Sequence, residues 1–514
     1  MSDDPIQLTA LTYHDLGHAE GLERLDQRFL AHLAEAAPQR QQQLLAHRDP
    51  HGSPLTGREL GDWLVAVGPH LERFLAELFG VEEALAAIQD ALTRDSEVMA
   101  FREAFVKRRA RRRRDAETAD FGELDAWLET ALDAHGLAGA DRELAVARLG
   151  QRLLDTGDTD GAEQLTRWCA AALHTPEGRA AVRGWAAFRL PARVDHTRLV
   201  ALEPEDSSAV RHRAPRSQWR SRDGFELTDP RAERRQVSAE AHYCIYCHDH
   251  EGDFCARGFP ERKSDPALGY KANPLGVRLT GCPLEERISE MNRLYRDGHP
   301  LAALAVAMVD NPMVPATGHR ICNDCMKSCI YQKQDPVDIP QIETRALTDV
   351  LSLPYGVELY HLLTRWNPLR RSQYLPAADN GRRVLIAGQG PAGFTMAHHL
   401  TMAGCTVVAI DGLKIEPLPE AWLDGPIRDW SALWEPLASR TLYGFGGVAE
   451  YGITNRWDKN FLKLIYLTLA RRERYAVHGG VRLGGTLTLE DAWSLGFDHA
   501  CIATGAGYPR VLDI

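Results

Sequence analysis

Seven of the ten cysteines in this 514-residue chain fall between positions 244 and 329. They read Cys244-Ile-Tyr-Cys247, then Cys255, then Gly-Cys282-Pro-Leu, then Cys322-Asn-Asp-Cys325-Met-Lys-Ser-Cys329. Thiolates two or three residues apart converge when the backbone turns, and such soft donors hold zinc or iron–sulfur centres. Two groups point to two centres. Further on the chain reads Val384-Leu-Ile-Ala-Gly388-Gln-Gly390-Pro391-Ala392-Gly393, then a helical stretch to Met402, then Thr406-Val-Val-Ala-Ile and Asp411. Strand, glycine turn, helix, strand and acid, in that order, make the βαβ unit of a dinucleotide fold. The glycines let the backbone approach a pyrophosphate at a helix N-terminus, and Asp411 is placed to accept hydrogen bonds from a ribose. Thiolate centres followed by a flavin or nicotinamide site imply electron transfer.

The rest of the composition is that of an ordinary globular chain, with 44% hydrophobic and 25% charged residues. The net charge of −11 argues against nucleic acid as a partner. No apolar run reaches the length of about 18 residues that a membrane span needs. The start, Met-Ser-Asp-Asp-Pro-Ile-Gln, has no basic or apolar stretch, so no signal peptide and a cytoplasmic location are expected. Thiols stay reduced there, and clustered cysteines then mean metal rather than disulfides.

The elements that must position these groups predict a multidomain chain. Residues 1–180 read as an all-α region of unassigned role. Apolar Trp63, Leu64, Val67, Leu71, Phe74, Leu75 and Leu78 recur at helical spacing across 59–79, with Gly68-Pro69 as an expected kink or break. Stretches 82–93, 122–135, 141–155 and 161–173 continue the pattern. Residues 181–236 read as a linker, polar and pattern-free from 203 onward. Residues 237–375 read as an α-helical domain whose loops carry the thiolates, and 381–514 as an α/β nucleotide-binding domain. His14 and His18 are spaced like two metal ligands on a helix, but no third ligand lies nearby in sequence. The basic run from Lys107 to Arg114 has no aromatic residues interleaved and reads as a solvated helix end or a contact for an acidic protein.

From about Tyr243 onward the motifs together resemble the small subunit of glutamate synthase and its relatives, including the N-terminal half of dihydropyrimidine dehydrogenase. The shared marks are Cys282-Pro-Leu with Asn292 beyond it, Asn311-Pro, Thr317-Gly-His-Arg-Ile-Cys322, Cys325, Cys329 and Pro336-Val-Asp-Ile-Pro-Gln-Ile-Glu343. They continue through the glycine turn, Gly446-Gly447 before Tyr451-Gly-Ile, and Ala503-Thr-Gly-Ala-Gly507. The resemblance implies two [4Fe–4S] clusters in the helical domain and FAD in a Rossmann-like domain. It implies one cluster on Cys244, Cys247, Cys255 and Cys329, and the other on Cys282, Cys322, Cys325 and the oxygen ligand Glu343. It implies FAD against Gly388, Gly390, Pro391, Ala392 and Gly393 at its pyrophosphate, with Asp411 at the ribose. Gly446 and Gly447 would lie along the isoalloxazine ring, and Thr504 and Gly505 would close over the cofactor. NAD(P)H is the implied electron donor, and an electron-accepting protein the implied partner. No residue presents itself as an acid–base catalyst.

The chain also departs from that pattern. Seven residues separate Cys247 from Cys255, where the family has fewer, and an insertion over 256–281 precedes Cys282. Glu450 stands where the family has a basic residue. Only 508–514 follow the last motif, whereas the family continues into an NADPH domain and then finishes the FAD domain. The FAD domain is therefore expected to be incomplete, with an exposed sheet edge. The NAD(P)H domain is expected on a missing C-terminal segment or a second chain. Two other chemistries fit parts of the sequence. Cys244-Ile-Tyr-Cys247-His248 is a c-type haem string. Seven thiolates and Glu343 would also fill two tetrahedral zinc sites in a scaffold protein with a vestigial nucleotide-binding domain. Cys169, Cys405 and Cys501 read as small buried apolar residues.

Overall fold

The computed structural model describes residues 11–113, 119–205, 208–216, 219, 227, 230–262, 264–318, 322–451 and 457–506. Parts of three motifs, 319–321, 452–453 and 507, lie outside the described residues, as do Arg114 and 508–514. The N-terminal region is built from helices Ala19–Ala36, Pro38–Arg48, Gly57–Phe79, Glu82–Phe101, Phe121–Ala134, Arg142–Thr156 and Thr159–His174. Asp120, Asp141 and Asp158 cap three of them by accepting the backbone N–H three residues on. Gly80 ends helix Gly57–Phe79 and Gly157 ends helix Arg142–Thr156, both in the left-handed conformation.

Gly68 and Pro69 do not break their helix, which runs unbroken over Gly57–Phe79. Packing explains the difference. A Cβ at Gly68 would stand 3.0 Å from both terminal carbons of Leu294 and 3.2 Å from Ala302 Cβ, so the glycine is the point where two other helices touch this one. The second departure lies in 203–236. There Glu203–Glu205 (β1) pairs antiparallel with Ser208–Arg213 (β2), and helix Arg234–Tyr243 begins before the stretch ends.

The apolar side chains sort into two large cores. One contains Val98, Phe105, Leu128, Val146, Leu165 and Trp168, all from 98–187. The other joins Leu22, Phe29, Trp63, Leu71 and Leu85 to the helices around the cysteines, Ile288–Arg296, Pro300–Asp310, Ile339–Leu351 and Gly356–Arg365. Buried carboxylates fasten these segments. Glu72, 2% exposed, accepts N–H bonds from Leu301 at 2.9 Å and Ala302 at 3.1 Å, at the start of helix Pro300–Asp310. Its other oxygen takes Gln89 Nε2 at 2.7 Å and bonds His299 Nδ1 at 2.8 Å. A carboxylate at a helix N-terminus meets both free N–H groups and the positive end of the dipole. Asp26 accepts from Arg48 at 2.7 Å and from Trp366 Nε1 at 3.0 Å. Asp95 accepts from Arg234 at 3.1 Å and Arg235 at 2.8 Å, and so holds the helix that leads into Cys244.

The C-terminal part carries a four-stranded sheet of Arg383–Ala387 (β3), Thr406–Asp411 (β4), Tyr475–Gly479 (β5) and His499–Ile502 (β6). The order is β5-β4-β3-β6 and every pairing is parallel. Val384, Ile386, Val407 and Ala409 face the main core, while Leu385, Ala387 and Ile410 face the opposite side with Ala492. Strand alternation thus presents apolar residues to cover on both faces, as a parallel sheet requires. Among the described residues no helix is long and apolar enough to cross a membrane.

Glu72→Gln keeps the shape but turns an amide NH2 group toward N–H donors. It is expected to lower unfolding free energy by about 2 kcal/mol or more in urea denaturation. Glu77→Gln, on the same helix, is expected to change it by less than about 0.5 kcal/mol.

Candidate functional site

The cysteines sit at turns between helices. Cys244 caps helix Arg234–Tyr243, and Tyr246, in the left-handed region at φ 54°, turns the chain so that Cys247 opens a short 3-10 turn. Cys255 lies in the one-turn helix Phe254–Arg257, and Cys329 follows helix Asp324–Lys327. These four lie within electrostatic reach of one another. Burial pushes the Cys255 thiol well above its usual range, and charge on Asp253, Cys244, Cys247 and Cys329 pushes it further. Cys247 is pushed up to about 12 by burial and then by Cys244 and Cys329. Tyr243 and Tyr331 stack beside the group, ring centroids 4.2 Å apart and planes 3° from parallel.

Cys282, Cys322, Cys325 and Glu343 form the second gathering. Burial raises the Cys325 thiol well above its usual range, followed by charge on Glu343, Glu286, Cys282 and Cys322. Burial raises Cys282 to about 11. Glu343 lies on helix Ile339–Leu351, accepts from Thr317 Oγ1 at 2.6 Å, and is held up at about 7 by burial. Asn311 Nδ2 donates to Thr317 Oγ1 at 2.8 Å, so two neighbouring motif pieces and Glu343, 26 residues after Thr317, form one hydrogen-bonded unit. Sequence reasoning missed Glu286. It is buried against this group, burial and Glu343 push its carboxyl well up, and its Oε1 has no hydrogen-bond partner among the described residues. Its position four residues after Cys282 was the available signal. Thiols crowded this way in a buried setting are costly to ionise alone, and a positive metal centre is what makes thiolates of them. Among the described residues no three or more His, Cys, Asp or Glu side chains close on a position for a single metal ion.

The insertion over 256–281 leaves the first gathering intact because it returns to its own starting point. Phe259 N–H donates to Leu279 O, Lys271 N–H to Phe259 O and Leu279 N–H to Lys271 O, each at 2.9 Å. At the neck, a Cβ on Gly281 would stand 2.4 Å from Ala256 O, and its φ of 81° is left-handed. Cys282 N–H then donates to Cys255 O at 2.9 Å, which joins the two gatherings through the backbone.

His248, the histidine of the haem-like string, is engaged elsewhere. Its Nε2 lies 2.9 Å from Glu290 Oε1, and both side chains are buried. Cys169 and Cys405 are buried, as expected, whereas Cys501 is half-buried.

The glycine turn has the predicted setting. Gly388 has φ 102°, and a Cβ there would stand 2.2 Å from Ala503 O, so the end of β6 lies directly on the turn. A Cβ on Gly393 would stand 1.9 Å from Gly388 O. Pro391 opens helix Pro391–Met402, and Pro391 and Ala392 are exposed. Asp411 ties the turn to the sheet, since its carboxylate accepts from Gln389 N–H and Leu413 N–H, both at 2.9 Å. Each oxygen keeps a further lone pair for a ligand. Gly446 N–H donates to Gln389 O at 3.0 Å, and a Cβ on Gly447 would stand 2.8 Å from Gly390 Cα, so this glycine pair packs against the turn itself. Thr504 and Gly505 follow β6 and are exposed. Glu450 is matched by a basic partner from elsewhere. Arg440 forms a two-pronged pair with it, both contacts 2.7 Å and both residues buried.

Comparisons with known proteins bear on the two ends differently. Residues 7–80 match the family model described as the RP005 N-terminal alpha-helical domain. The chain is similar to two proteins of Rickettsia prowazekii (strain Madrid E), both named as uncharacterized. RP006 is 52% identical over 202 residues, 39% of this chain and 28% of that protein. RP005 is 26% identical over 286 residues, 53% of this chain and 92% of that protein. A glutamate synthase [NADPH] small chain from Mycobacterium tuberculosis (strain ATCC 25618 / H37Rv) is 31% identical over 132 residues, 26% of this chain and 24% of that protein. The chain thus spans about a quarter of the length of RP006 and of the glutamate synthase small chain.

Glu450→Gln is expected to lower unfolding free energy by about 3 kcal/mol or more, because it leaves the buried Arg440 guanidinium uncompensated. The double change Glu450→Leu with Arg440→Met is expected to recover most of that loss. Thermal denaturation of the three chains checks the coupling.

Proposed function

We propose that this chain is an oxidoreductase module that holds two [4Fe–4S] clusters and FAD and passes electrons between NAD(P)H and a protein acceptor. The distant, partial similarity to glutamate synthase small chains supports the oxidoreductase class. The observation that carries the reading is the gathering of seven thiols and one buried carboxylate into two sets, joined at the Cys255–Cys282 backbone bond, in a chain that also has a glycine turn in a parallel βαβ setting.

Cys244, Cys247, Cys255 and Cys329 would hold one cluster, and Cys282, Cys322, Cys325 and Glu343 the other. Gly388, Gly390, Pro391, Ala392 and Gly393 would meet the FAD pyrophosphate, with Asp411 at its ribose. Bound flavin takes electrons in pairs and releases them singly, and iron–sulfur clusters carry them one at a time. The chain's own residues bury the thiols, keep water from most of them and place the two sets side by side. Cys322 is exposed and Cys244 and Cys282 half-buried, so both sets reach the surface where a partner could approach. Stacked Tyr243 and Tyr331 flank the first set. The zinc-scaffold alternative calls for four donors within about 2.3 Å of one ion. Metal analysis separates it from the cluster reading, since only clusters bring iron and sulfide.

An anaerobic absorption spectrum with iron, sulfide and flavin counts tests the reading. Two clusters' worth of iron with matching sulfide is expected, with flavin peaks from the nucleotide site. Cys247→Ala and Cys282→Ala are each expected to remove about half of the iron. Zinc in place of iron, or a single variant that loses no iron, would sink the assignment.

A further inference from the structure

On another side of the sheet region, a cleft of about 510 Å³ opens between the N-terminal segment and the chain around β5. Its walls carry four guanidinium groups, Arg365, Arg471, Arg472 and Arg474, against two carboxylates, Glu20 and Glu473. Two of the arginines are structural. Arg471 is held by Glu358 at 2.9 Å and by the carbonyls of Trp422 and Gly425. Arg472 donates to His398 O at 2.9 Å and to Thr401 Oγ1, and its Nε has no partner among the described residues.

Arg365 differs from both. It is only 5% exposed, it lines the cleft, and it makes no hydrogen bond or ion pair with any described residue. Burial makes its charge costly, and the carboxylates of Glu358 and Glu473 act on it only from beyond ion-pair distance, so an anion in the cleft would complete it. A second feature opens on the same space. The 18-residue helix Ala19–Ala36 begins there with no side-chain cap, and its first residues Ala19 and Glu20 line the cleft. Free N–H groups and the positive end of a long helix favour an anion. His14 and His18 stand at the rim with ring centroids 4.5 Å apart, and His18 Nε2 lies 3.9 Å from Glu473.

We infer that this cleft is a binding site for a phosphate-bearing small molecule, with Arg365 as its anchoring cation and the start of helix Ala19–Ala36 as its backbone donor. The site joins the N-terminal segment to helix Pro391–Met402, because Arg472 grips His398 and Thr401 on that helix. Guanidinium and helix N–H groups together match the charge and the several acceptor oxygens of a phosphate. The volume leaves room for more than inorganic phosphate alone.

Calorimetric titration of the full chain with inorganic pyrophosphate and with AMP tests the site, using Arg365→Gln and, as a control on the exposed basic run, Arg108→Gln. Saturable binding is expected in the starting protein and in Arg108→Gln, weakened at least tenfold in Arg365→Gln. Dependence on Arg365 separates the site from the glycine turn. Tighter pyrophosphate identifies the phosphate group alone as what is recognised, and tighter AMP identifies a nucleotide. In the absence of anion, Arg365→Gln is expected to melt no lower than the starting protein, since it removes an unpaired buried charge. No saturable binding, equal binding in Arg365→Gln, or a Tm of Arg365→Gln several degrees lower would overturn the inference.

Discussion

A single backbone hydrogen bond, Cys282 N–H to Cys255 O, fastens the two sets of thiols to each other. Cys255 belongs to one set and Cys282 to the other, and the chain between them makes a closed excursion that begins and ends at touching glycines. The contact at Gly258 and Gly281 is closer than a side chain permits, since a Cβ on Gly258 would stand 2.3 Å from Leu279 O. Because the neck is fixed, the sulfurs on either side keep one relation whatever the excursion does. Everything else around the cysteines builds outward from that point, including Ser328 Oγ, which accepts the Gly281 N–H at 2.9 Å.

The N-terminal helices form the wall of this arrangement. Residues 11–92 share their core with the cysteine helices, and they do so through buried carboxylates as well as apolar packing. Glu72 starts helix Pro300–Asp310, and Asp26 anchors Trp366. These pairings combine charge with several donors each, the condition under which a buried carboxylate stabilises rather than strains. Of the region similar to the RP005 N-terminal domain, residues 11–80 are therefore physically continuous with the cysteine helices.

Some of this was legible in the sequence. The alternation of Val384, Leu385 and Ile386 and the spacing from Gly388 to Asp411 specify a βαβ unit, because local periodicity and turn chemistry suffice there. The helices across 59–79, 122–135 and 141–155 were readable for the same reason. What local pattern could not convey is where distant segments meet. Gly68 looked like a breaker because its role is to admit Leu294 and Ala302. Nothing in the local pattern marks Glu72 as buried, and Glu286 carries only its spacing from Cys282. Glu450 looked like a mismatch until Arg440 was found opposite it. The sequence of β1 and β2 is mostly polar, with no regular alternation of apolar and polar residues to read.

The closed excursion over 259–279 also has a meaning for how such a chain can change. A loop whose ends are pinned by their own backbone contacts contributes little strain to what lies outside it, and each doubling of loop length costs only about 0.6 kcal/mol in closure entropy. Its length and sequence are thus free to drift while the neck stays constant. Such a segment is a natural cassette, a place beside the cysteines where a lineage could add a recognition surface without disturbing the groups that it borders.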